Sequence, residues 1–179
     1  MLPKVSVFIA ASLDGYIARP DGSLDWLDRA NAAVPAGEDF GYHALMAKVD
    51  TLVMGRHTYA SVLARGDWPY GGKRVVVLSS SGVAIPDALR QTVESSDEAP
   101  RALLLRLAVD GVRHVYVDGG VTIHRFLRAG LVNEITLTTI PVLLGKGRPW
   151  FGHLEADIPL RHQSTRTYPF GYVRTTYLL

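Results

Sequence analysis

The sequence predicts an α/β fold with a mostly parallel central sheet flanked by helices and an antiparallel C-terminal edge. Three observations carry that expectation. Apolar runs of strand length recur along the chain with helical patterns between most of them. The early runs are unbroken Val/Ile/Leu, as expected of strands covered on both faces. The last two runs are joined by Pro169-Phe170-Gly171, a turn-like connection that favours an antiparallel hairpin.

Taken in order, the strands are expected at Val5–Ala10, Thr51–Met54, Arg74–Leu78, His114–Val117, Glu134–Ile140, Arg161–Thr167 and Tyr172–Leu178. Helices are expected at Glu38–Lys48, His57–Arg65, Glu98–Val109 and Thr122–Ala129, with Gly111 and Gly130 as C-terminal stops. Ser12–Pro35, with Asp14-Gly15 and Pro20-Asp21-Gly22, reads as a long functional loop beside the sheet. At 179 residues the chain fits a single domain over 1–179.

Composition narrows the function classes. Lys and Arg number 19 against 17 Asp and Glu and are scattered, which disfavours a nucleic-acid patch. With no cysteine there is no disulfide framework, thiolate zinc site or thiol nucleophile. The six histidines show no ligand spacing, so no metal is expected. The N-terminus starts on a β-type segment without a charged leader, and no apolar stretch reaches membrane-spanning length. A cytoplasmic location is the expectation.

The most informative stretch is Val115-Tyr-Val-Asp-Gly-Gly-Val-Thr-Ile-His-Arg-Phe-Leu127, a strand running into two glycines and then a helical pattern. Glycines let the backbone approach an anion, and free N–H groups at the start of the next helix supply donors reinforced by its dipole. This layout points to a nucleotide. Neither a P-loop around Gly145-Lys146-Gly147 nor a Gly-x-Gly-x-x-Gly after the first strand is present.

Leu52-Val-Met-Gly-Arg-His-Thr-Tyr59, Val75-Val-Val-Leu-Ser-Ser-Ser81, Pro141-Val-Leu-Leu-Gly-Lys-Gly-Arg-Pro-Trp-Phe151 and Ala10-Ala-Ser-Leu-Asp-Gly-Tyr-Ile17 accompany the glycine pair. Together they resemble the dihydrofolate reductase-like superfamily, and most of all the reductase domain of the bifunctional riboflavin-biosynthesis deaminase-reductases and its stand-alone relatives. The resemblance covers nearly the whole chain. It implies a dihydrofolate reductase-like fold and NADPH as cofactor. Ala10 and Ala11 would meet the nicotinamide carboxamide and Ile17 would cover the ring. Gly55, Arg56 and Thr58 would cradle phosphate, Thr58 opening a helix. Ser79 and Ser80 would lie near the adenosine ribose, where Arg56 could meet a 2′-phosphate. Gly119, Gly120, Val121 and Thr122 would line the pyrophosphate turn, with the Gly119-Gly120 bond cis.

On the substrate side, Asp39 stands fifteen residues before Met54, as the essential carboxylate of dihydrofolate reductases does. Helical spacing would group it with His43 and Met46, apolar neighbours raising its pKa and a charged histidine lowering it. The competing reading makes Glu38 and Asp39 simple helix N-terminal acids. Trp26 would contact substrate, and Lys146 and Arg148 could meet a substrate phosphate or be solvated loop charges. Asp14 is expected to serve a turn. The His-x-Glu and Pro-Cys-x-x-Cys zinc signature of the deaminase half is missing. The resemblance implies reduction of a 5-amino-6-(5-phosphoribosylamino)uracil-like substrate. A dihydrofolate or pterin reductase, or a non-catalytic nucleotide-binding module, remain alternatives. Homodimerisation is expected, with Glu134–Ile140 and Tyr172–Leu178 in or near the interface.

Overall fold

The computed structural model describes residues 1–179. Its strands are β1 (Lys4–Ser12), β2 (Tyr16–Ala18), β3 (Thr51–Gly55), β4 (Arg74–Leu78), β5 (Val93–Ser96), β6 (His114–Asp118), β7 (Glu134–Ile140), β8 (Arg148–Pro149), β9 (Arg161–Thr167) and β10 (Val173–Leu178). Its helices are α1 (Asp25–Asn31), α2 (Tyr42–Met46), α3 (Arg56–Leu63), α4 (Pro100–Val109) and α5 (Gly120–Arg128).

Eight strands form one sheet in the order β5-β4-β3-β6-β1-β7-β10-β9. β1, β3, β4, β5, β6 and β7 run parallel, and β10 and β9 add an antiparallel edge. The remaining two strands, β2 and β8, pair separately.

Side-chain alternation sends each central strand into two cores. Val5, Val7, Val53, Val76, Val115 and Val117 pack with Leu103, Leu107, Ile123 and Phe126 of α4 and α5 on one face. Leu52, Met54, Val75, Val77 and Tyr116 point the other way, toward Met46 of α2 and Tyr59 of α3. A third cluster joins Trp26 of α1 to Ile140, Tyr168 and Tyr172. Pro100 opens α4 at a position where its missing N–H costs nothing. Gly111 and Gly130 close α4 and α5 in left-handed conformation, with Val112 N donating to Leu107 O and Leu131 N to Phe126 O, as expected of the two stops.

Three regions differ from the sequence expectation. The helix expected over Glu38–Lys48 is confined to Tyr42–Met46, because Phe40 and Gly41 take φ of 57° and 88° and break the turn before it. The long Ser12–Pro35 loop contains β2 and α1. β5, of sequence Val-Glu-Ser-Ser, has one buried residue and no apolar run to announce it, yet it pairs with β4 in parallel. No helix is long and apolar enough to cross a membrane.

Candidate functional site

The chain leaves β1, builds β3, β4 and β5 to one side, returns through β6 between β3 and β1, and then places β7 on the far side of β1. That reversal opens a crevice at the carboxyl ends of β3, β6 and β1, the place where open α/β sheets bind ligands. The register shows the opening directly. β1 pairs with β6 only as far as Val7↔Val117, but with β7 as far as Ser12↔Ile140. The stretch holding Ala10 and Ala11 therefore has a free backbone edge facing the Asp118-Gly119-Gly120 turn.

Two helices start at this crevice, α3 directly after Gly55 and α5 directly after Gly119. The first-turn amides of each lack intrahelical partners and carry the positive end of the helix dipole. The turns interlock. A side chain on Gly119 would collide with the Thr58 hydroxyl, and one on Gly55 would begin 3.0 Å from Thr122 Oγ1. Gly120 lies so close to β8 that a Cβ there would stand 2.5 Å from the Pro149 carbonyl oxygen and 3.4 Å from Ile17 Cδ1. Val121 is exposed beside the turn, at 75%. Gly55, Thr58, Gly119, Gly120, Val121, Thr122 and Ile17 thus come together around one glycine-lined cradle where two helices start.

The expected cis bond is absent: the Gly119-Gly120 peptide is trans. Gly119 takes φ 88° and ψ 133°, which turns the chain from strand to helix without isomerisation. α3 begins at Arg56, two residues ahead of Thr58.

At the outer end of the crevice, Arg56 Nη1 donates to Ser81 Oγ at 3.4 Å. Ser79 is buried and its hydroxyl donates to the Gly82 carbonyl at 2.9 Å, so it is spent on the turn. Ser80 is exposed. Arg56, Ser80 and Ser81 are therefore the groups available to an anion at this end.

At the inner end stands Asp118, a residue quoted in the glycine motif but given no role by the sequence. It is half-buried on the α2 face of the sheet, and burial pushes its carboxyl up to about 6, against the opposing hydrogen bond from Gly119 N at 2.8 Å. Tyr42 and Tyr70 lie near enough that burial and then the Asp118 charge raise their phenols. Tyr116 donates its hydroxyl to the Phe8 carbonyl at 2.9 Å, fixing β6 against β1 below the opening. A carboxyl that keeps its proton up to about pH 6, beside the first turns of two helices, is a marker of a site. The available signal was its position, a carboxylate closing a buried strand immediately before two glycines.

Asp39 behaves differently from its expectation. Backbone N–H donors from His43 and Gly41, both at 2.8 Å, hold its carboxyl down at about 2, and His43 Nδ1 adds a contact at 2.5 Å. The apolar surroundings expected to raise it are missing, since His43 is 88% exposed and α2 begins only at Tyr42. Its observed work is to bind the turn that starts α2.

Trp26 is 4% exposed and packs in the α1 cluster rather than standing free in the crevice. Arg148 donates to the Pro20 carbonyl at 3.2 Å and lies over Gly22, tying β8 to the Pro20 turn, and Lys146 is exposed. Asp14 does serve a turn: its carboxylate accepts Leu144 N at 3.0 Å, Gly145 N at 2.7 Å and the Ser12 hydroxyl at 2.6 Å.

The RibD C-terminal domain family matches residues 3–173. A crystal structure of a putative riboflavin biosynthesis protein from Shewanella sp. PV-4 is 40% identical, superposes with a TM-score of 0.91, and covers 99% of this chain and 98% of its own. The Bacillus subtilis protein YwjB is 35% identical over 169 residues, 92% of each chain. A Thermotoga maritima diaminohydroxyphosphoribosylaminopyrimidine deaminase/5-amino-6-(5-phosphoribosylamino)uracil reductase shares the fold at 17% identity and a TM-score of 0.74, over 99% of this chain and 56% of that one.

Proposed function

Because the chain belongs to the RibD C-terminal domain family, we propose that it is an NADPH-dependent reductase acting on a small electrophilic carbonyl or imine of the 5-amino-6-(5-phosphoribosylamino)uracil class. The observation that carries this reading is Asp118, a proton-holding carboxyl beside a glycine cradle at the free edge of β1.

The cradle fits a dinucleotide. Gly55, Gly119 and Gly120 are positions where a Cβ would meet Thr122, Thr58 or the Pro149 carbonyl, so the glycines let α3, α5 and β8 close on one another and bring the first turns of both helices side by side. The first-turn amides of α3 and α5 would bind the phosphates. Arg56, with Ser80 and Ser81, would take the 2′-phosphate by charge-assisted hydrogen bonds, which selects NADPH over NADH. NADPH, when bound, supplies the hydride.

The remaining steps belong to the chain. The free β1 edge at Ala10 and Ala11 orients the carboxamide. Ile17, held over Gly120 by the β2–β8 ladder, excludes water from the reacting carbon. Asp118, whose protonated fraction falls as pH rises past about 6, delivers its proton to the substrate oxygen or nitrogen beside that carbon. A second copy would pack on the C-terminal hairpin, whose outer strand β9 is exposed at every residue.

The test is NADPH oxidation by the wild type and by Asp118→Asn with 5-amino-6-(5-phosphoribosylamino)uracil, alongside a cofactor titration. Turnover lost with cofactor affinity kept is the expected result. Undiminished turnover in the variant would remove the acid.

A further inference from the structure

On the α2 face of the sheet one row of side chains crosses three strands. Thr138 of β7 lies opposite Ala10 of β1 on one side and opposite Arg174 of β10 on the other. The segment Phe40-Gly41-Tyr42 lies over this row. Arg174 Nη1 donates to the Phe40 carbonyl, and a side chain on Gly41 would stand 2.7 Å from the same nitrogen. Phe8, on the same face of β1 as Ala10, meets the Tyr42 ring at 5.9 Å between centroids. Arg174 and the Phe8–Tyr42 pair thus stand on either side of Thr138.

Two polar groups of the row are not used by the fold. Thr138 is 4% exposed. The hydroxyl of its strand neighbour Thr136 pairs with Thr176 at 3.1 Å, and that of Thr51 is unpaired and sealed from water. The Thr138 hydroxyl is unpaired without being sealed. Arg174 is half-buried and makes no salt bridge, because Glu38 is taken by Arg166 at 3.3 Å and Asp39 by His43 and the Gly41 N–H. The Phe40 carbonyl occupies one arm of the guanidinium and leaves the other donors unspent. Buried hydroxyls and half-buried cations are normally paired, so this row is built to pair with something outside the chain.

We propose that Thr138 and Arg174 read the pyrimidine ring of the substrate, Arg174 donating to a ring carbonyl and Thr138 accepting from the ring N–H beside it, with the Phe8–Tyr42 pair as the apolar wall. This rests on the reductase reading. In that substrate class the sugar carbon that receives hydride is bonded to an amino nitrogen of the ring, so the ring lies next to the reacting centre. The row starts at Ala10, on the crevice, and Tyr42 neighbours Asp118. The phosphate end is a poorer match, since Glu38 and Asp39 belong to the turn over the row and would repel a dianion. A site that hydrogen-bonds a ring in this way discriminates strongly against rings lacking the partner groups.

The test is a calorimetric titration of the NADPH-loaded protein with 5,6-diaminouracil, the ring without its sugar, and separately with ribose 5-phosphate, the sugar without its ring. Thr138→Val keeps the side-chain shape and removes the hydroxyl, and should weaken 5,6-diaminouracil roughly three- to tenfold. Arg174→Gln should weaken it by about tenfold or more. Ribose 5-phosphate affinity should stay within about twofold in both variants, a selectivity that general loosening of the Phe40 turn would not produce. Unchanged 5,6-diaminouracil affinity in Thr138→Val, equal losses for the two compounds, or no binding of 5,6-diaminouracil to the wild type overturns the assignment. Failure of the reductase reading shows separately, as absence of NADPH binding in the wild type, and the two titrations are then read on the unliganded protein.

Discussion

The hydroxyl of Thr58 on α3 fills the space that a side chain on Gly119 would need, and Thr122 on α5 stands over Gly55 in the same way. Each helix presses its first turn against the glycine of the other. Two helix N-termini are thereby joined in one cradle, and neither turn can shift without the other.

Gly120→Ala tests that cradle. The added methyl would meet the Pro149 carbonyl, which is backbone and cannot rotate away. We expect a folded protein whose NADPH affinity falls at least tenfold, about 1.4 kcal/mol, by tryptophan-to-nicotinamide energy transfer. Wild-type affinity in a folded variant would mean that the close approach has no part in binding.

Arg56→Ala separates the two cofactors. Loss of a charge-assisted hydrogen bond costs about 1.5–3 kcal/mol, so NADPH affinity should drop roughly ten- to a hundredfold. NADH affinity should stay within about twofold. Parallel losses for both would place Arg56 elsewhere than at the 2′-phosphate.

Asp118 carries a rate and a stability prediction. The acid form donates, so turnover should decline as pH rises through about 6, and Asp118→Asn should abolish that limb while lowering kcat about 10²–10⁴-fold. For stability, a carboxyl raised from 3.8 to about 6 in the folded state contributes fully at low pH and loses its contribution as pH rises through about 6. Asp118→Asn should therefore be more stable to urea than the wild type at pH 8, by no more than about 3 kcal/mol, and little different at pH 3. An unchanged difference between the two pH values would contradict the raised carboxyl.

His114 works in the opposite direction. It is buried between β1 and the base of the sheet, with Ser6 Oγ at 2.8 Å from Nε2. Burial lowers its pKa first, Lys4 and Lys48 lower it further, and Glu134 and Asp50 oppose them. Its folded-state contribution is complete above the unfolded value of 6.5 and falls away as pH drops through the lowered one. Urea midpoints measured from pH 7.5 down to 5 should fall more steeply for the wild type than for His114→Gln. Equal slopes would remove His114 as the cause.

Most of the sheet was legible because burial on both faces writes itself as Val/Ile/Leu runs, and Gly111 and Gly130 announced two helix ends. β5 was hidden because an edge strand of sequence Val-Glu-Ser-Ser needs only Val93 inside. α2 was overextended because nothing in the periodicity reports the left-handed Phe40 that precedes it. The glycines and threonines that meet where α3 and α5 start were readable from motif order, since contact between the two turns demands small residues at fixed positions. Asp118 was not, because its significance lies in desolvation by neighbours from α2 and the segment before β4, which one strand cannot reveal. Ser79 was expected near the adenosine ribose, and nothing in the sequence shows that its hydroxyl donates to the Gly82 carbonyl, a partner set by the turn.

The most direct test of the account is a fluorescence titration of the wild type and of Arg56→Ala with NADPH and NADH. Saturable NADPH binding, weaker NADH binding and loss of the difference in Arg56→Ala are the predicted results. No saturable binding of either nucleotide would contradict the reductase assignment itself.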